Sequence, residues 1–88
     1  MRNDEKELQR IRDKMLSQIR VLFKTSVEYW KAGNPELATA NDNKGRFLWQ
    51  FMPYFDIKEF DKEFEEIRKA ADDYVERKFP KEFNDANR

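Results

Sequence analysis

The most suggestive carboxylates in this sequence are Glu63 and Glu66, followed by Asp73 and Glu76: two pairs at three-residue spacing on one helical segment. Such pairs can hold a hard cation such as Mg²⁺ when a second helix supplies further oxygens. The sequence does not show a second helix set to supply those oxygens, so these carboxylates read as a solvated helix face. Ser17 and Ser26 are the available hydroxyl nucleophiles, but the chain has no histidine to activate them. The absence of histidine also removes the commonest metal ligand. There is no cysteine, hence no thiolate chemistry and no disulfide. The sequence therefore leads to no catalytic residue, no metal and no cofactor, and the expectation is a protein that is not an enzyme.

Binding is the better prospect. In "RFLWQFMPYFDIKEF", from Arg46 to Phe60, six of fifteen residues are aromatic, against 15% in the whole chain. Most of these rings have a structural use in the core of a small domain, with Tyr54 and Phe55 placed to plug one end. Trp49 lies off the expected core stripe, beside Arg46. A tryptophan there is either a second packing surface or a binding hot spot. A second candidate is the polar side of the first segment, where Lys14, Arg20, Lys24 and Lys31 could meet phosphates or an acidic surface. Asp13 and Glu28 interrupt this strip, and no interleaved base-stacking aromatics accompany it. An ordinary solvated face is the favoured reading of this strip.

These residues need elements to position them, and the periodicity predicts three helices. The first runs from about residue 3 to 32, with Leu8, Ile11, Met15, Ile19, Leu22, Ser26 and Trp30 recurring every three or four residues. Leu16, Phe23, Val27 and Tyr29 widen the stripe, which suits a central helix touched by more than one neighbour. Gly33 ends it, and "GNPEL" restarts the chain with Asn34 as N-cap, Pro35 in the first turn and Glu36 near the positive end of the dipole. The second helix is expected over about 35–52, with Leu37, Ala40, Phe47, Leu48 and Phe51 facing the core. Residues 41–45, "NDNKG", are turn chemistry and could break it. Pro53 closes it. Asp56 and Glu59 have capping-box spacing, which predicts a third helix over about 57–78 on a seam of Ile57, Phe60, Phe64, Ile67, Ala71 and Tyr74. Glu65–Lys69 and Asp73–Arg77 have the spacing of supporting ion pairs, and a short C-terminal tail follows.

Tight turns between three helices give an all-α, antiparallel three-helix bundle in one domain spanning residues 1–88. Leu, Ile, Val and Phe total twenty residues, so the core is thin and each ring counts. The charge is balanced overall, but residues 1–32 carry a net +3 and residues 56–88 a net −3. The simplest use of that asymmetry is to dock the two ends on each other. Arg12 and Arg68 fall within apolar stripes and are expected to pair with acids or to extend along their stems. No apolar run approaches the roughly 20 residues that cross a bilayer. The opening residues lack the apolar core of a signal peptide, so the expected location is the cytoplasm.

The helices are unequal, at about 45, 27 and 34 Å. The second, folding back from Gly33, then leaves Leu8 and Ile11 uncovered, and a second copy could cover them. The favoured expectation is a small non-enzymatic protein–protein interaction module of adaptor, inhibitor or antidote type, dimeric through its first helix. It would meet another protein through Trp49, Arg46, Leu8 and Ile11, with no membrane role. The alternative is a nucleic-acid-binding regulator using the basic side of the first helix. Salt separates the two, because phosphate binding weakens steeply as salt rises.

Overall fold

The computed structural model describes residues 2–82, with side chains from Asp4 onward. It is all-α, and three helices pack together: α1 (Arg2–Lys31), α2 (Pro35–Gln50) and α3 (Asp61–Lys78). The tail at Phe83 lies outside the described residues.

Gly33 has φ +78°, the left-handed conformation that ends α1 at little cost for glycine. Asn34 then caps α2, its side-chain oxygen accepting from the Leu37 N–H at 3.2 Å. Folding back, α2 runs antiparallel to α1. The Ser26 hydroxyl donates to the Ala38 carbonyl at 2.7 Å, and Gly45 faces the Phe23 ring. By contrast, α3 runs parallel to α1: Arg20 meets Glu63, Phe23 meets Phe60 and Phe64, and Trp30 meets Tyr74. The topology is up-down-up, with α1 as the shared spine and α2 meeting α3 mainly where Trp49 and Arg46 lie against Phe64.

The core is a cluster of Leu16, Ile19, Phe23, Trp49, Met52, Phe60 and Ile67, flanked by half-buried Met15, Val27, Trp30, Leu48 and Phe64. Phe23 sits edge-on to Phe60 and Phe64, both at 5.1 Å, and Trp49 sits edge-on to Phe60 at 5.0 Å. Pairs of this geometry add about 0.5–1.5 kcal/mol each beyond the area they bury.

Residues 41–45 do not break α2. Asn41 donates to the Leu37 carbonyl and Asp42 pairs with Arg46 at 2.7 Å, so polar side chains that could have made a turn brace the helix instead. The core stripe of α2 is rotated from the expected one. Ala38, Gly45 and Trp49 are buried, whereas Leu37, Phe47 and Phe51 are exposed and Leu48 is half-buried. The cause is close approach: with Ser26 on α1 and Ala38 and Gly45 on α2, the backbones can come together only on the small-residue face.

The third helix starts at Asp61 and not at Ile57. The Asp56 carboxylate accepts from the Lys58 N–H, closing a local turn, and Phe60 occupies the N-cap with no side-chain cap bond. Ile57 is consequently exposed rather than on the seam. Ala70 rather than Ala71 is buried beside Ile67. Glu65 pairs with Arg68, one residue short of Lys69, and Arg77 donates to the Asp73 carbonyl.

Candidate interaction surface

Trp49 is 6% exposed. The rotation of α2 carries it inward, where it meets Phe55 at 4.7 Å as well as Phe60 and Phe64. This corrects its candidacy as a partner-facing hot spot; the packing alternative is the one the geometry adopts. Arg46 keeps an exposed side chain, yet its guanidinium lies 4.0 Å from the Phe64 ring centroid and pairs with Asp42. Its first role is to roof the aromatic cluster. Phe55 lies against Trp49 but stays 46% exposed, and Tyr54 stands exposed at φ +57°, so the two rings do not plug the end of the bundle as expected.

Leu8 and Ile11 are 41% and 43% exposed, and no residue from Asp4 to Ile11 is buried. The unequal helix lengths explain this. α2 has 16 residues against 30 in α1, and the turn before α3 reaches only the level of Arg12, which pairs with Glu59 at 3.4 Å. The first turns of α1 thus form an arm that neither neighbour covers.

The basic strip is shared out. Arg20 meets both Glu59 and Glu63 at 3.5 Å and lies 5.1 Å from the Phe60 ring centroid. Lys24 borders a groove with Glu63 and Glu66, and Lys31 borders one with Glu66 and Asp73. Lys14 is exposed on α1. The positive first third and the negative last third of the sequence do meet here, through Arg12 and Arg20 on Glu59 and Glu63. Arg68 is also on the surface, where the hydrogen bond and charge of Glu65 raise its pKa above an already high value. Among the described residues no group of three or more metal-ligating side chains converges.

What sequence reasoning missed is the outer face of α2. Phe47 and Phe51 are 61% and 68% exposed, with ring centroids 5.0 Å apart, and Leu37 lies on the same side of the helix. Beside it, Gln18, Val21 and Leu22 of α1 and Lys44 and Leu48 of α2 line an apolar groove. The signal was present in the sequence: Ala38 and Gly45, seven residues apart, mark the side of α2 that packs closely on α1, against Ser26 and the Phe23 ring. That assignment turns the large apolar residues outward. No protein-family model, curated protein or solved structure matches the chain.

Proposed function

We propose that the protein is a non-enzymatic interaction module that works by covering a surface of another protein, in the manner of an adaptor, inhibitor or antidote. The observation carrying this reading is the stacked, exposed Phe47–Phe51 pair on a helix whose opposite face is already used. Soluble monomers rarely leave large rings together in water, and aromatic side chains dominate binding hot spots. Arg46, next to this pair in sequence, supplies a polar edge. The uncovered Leu8–Ile11 arm is a second apolar surface, suited to pairing with another copy through α1.

The test compares wild-type protein with Phe47→Ser/Phe51→Ser as bait in the native host. The double variant keeps its helical circular dichroism and loses a wild-type partner whose retention survives high salt. If instead the retained material is nucleic acid, released by moderate salt and by Lys24→Glu/Lys31→Glu, the regulator reading replaces this one.

A further inference from the structure

Two open surfaces of this chain are complementary yet cannot reach each other within one copy. One is the arm of α1, an amphipathic stretch carrying Leu8 and Ile11 with Asp4 and Glu7 beside them. The other is the groove opposite α3, of about 310 Å³, lined by Gln18, Val21, Leu22, Lys44 and Leu48. Its single formal charge is the lysine, and Val21 on its rim is 62% exposed. Arm and groove share one unbroken helix. From Leu8 to Val21 is about 20 Å along that helix, so no bending of the chain brings them together.

We infer that the groove is filled by the arm of a second copy, in a reciprocal two-fold exchange. The spacing supports it. Leu8, Ile11, Met15, Gln18 and Leu22 alternate at three and four residues, the seam of a paired helix. Antiparallel pairing centred near Met15 sets Leu8 level with Leu22 of the other copy, and Ile11 level with Gln18. Asp4 and Glu7, which flank Leu8 and Ile11 on an arm whose charges balance overall, then approach Lys44 across the interface, and α2 of the second copy lies over Leu8 and Ile11, supplying the length that α2 lacks. A two-fold axis makes both contacts at once, which is what closes the assembly at two copies.

Apolar side chains are open to cover on both sides of the exchange: Leu8 and Ile11 on the arm and Val21 at the groove are each more than two-fifths exposed. This inference rests on the dimer reading through α1 and is independent of the Phe47–Phe51 surface.

The experiment is sedimentation equilibrium on the full chain, with circular dichroism to verify folding. Wild type sediments as a dimer. Leu8→Asp in the arm and Val21→Asp in the groove each raise the dissociation constant at least tenfold; both positions are exposed, so the fold survives. Lys44→Glu weakens the dimer, as does Asp4→Lys/Glu7→Lys, and the triple variant recovers most of the loss. A wild-type monomer at high concentration overturns both the exchange and the dimer reading. A dimer broken by Leu8→Asp but indifferent to Val21→Asp and to the charge reversals overturns the exchange alone, leaving arms paired with each other.

Discussion

At Gly45, a side chain as small as alanine's already requires Phe23 to move. A Cβ built there would lie 2.5 Å from a ring carbon, and that ring is held edge-on by Phe60 and Phe64. Gly45→Ala gains up to about 1 kcal/mol of helix propensity, against about 1–3 kcal/mol for overpacking. The expected outcome is a net loss near 1 kcal/mol by urea denaturation, against the gain normal for an exposed helical glycine. Phe60 is fully buried, and Phe60→Ala removes about 3–5 kcal/mol. A domain of this length has only about 4–13 kcal/mol in total, so the variant has a much lowered melting temperature or no cooperative transition. Phe47→Ala and Phe51→Ala stay within about 0.5 kcal/mol of wild type. A large loss at either position would show that the ring is packed after all.

Glu59 joins two elements, since it receives both Arg12 and Arg20 of α1 just before α3 begins. Glu59→Gln leaves the half-buried Arg12 facing a neutral group, for an expected cost of about 1 kcal/mol that shrinks in high salt. Removing residues 1–10, by contrast, takes away a stretch of α1 whose described side chains, Asp4 to Arg10, are all exposed. At concentrations where the chain is monomeric, this truncation changes stability by less than about 1 kcal/mol. The element plan was legible because its signals are local: Gly33 must adopt positive φ, Asn34 can cap, Pro35 fits the first turn, and the stripe of α1 is too wide for a single neighbour. The facing of α2 was not legible from apolarity alone, since Leu37, Phe47 and Phe51 outweigh Ala38 and Gly45 on any count of hydrophobic residues. Steric access decided it, and that depends on Ser26 and Phe23, which lie on another helix. The start of α3 was misplaced for a related reason: the Asp56 side chain serves a turn over Lys58, and the helix begins only after Phe60 is anchored in the core. At the candidate site, Leu8 and Ile11 followed from helix length, whereas Trp49 moved inward with the rotation of α2.

As a whole, the molecule is a slab of 59 × 24 × 15 Å with a radius of gyration of 16.3 Å, where a compact chain of 88 residues has about 12 Å. Small-angle scattering of a dissociated variant such as Leu8→Asp should therefore report an elongated particle. In the exchanged dimer the two first helices overlap about their middles. Its maximum dimension should then exceed the monomer's only slightly, while the mass doubles. Pairing confined to the tips of the arms would give a far longer particle.

The two indoles sit at opposite ends of the packed region, Trp49 inside the knot of rings and Trp30 tilted over Tyr74 at 5.5 Å. The chain thus carries its own pair of optical probes. With Trp30→Phe, the remaining emission should be blue-shifted and shielded from iodide, reporting only on the junction of the three helices. With Trp49 replaced by Phe, emission would follow the far end, where α1 hands over to Gly33. Comparing the two during rapid refolding would show which end of the spine is gripped first.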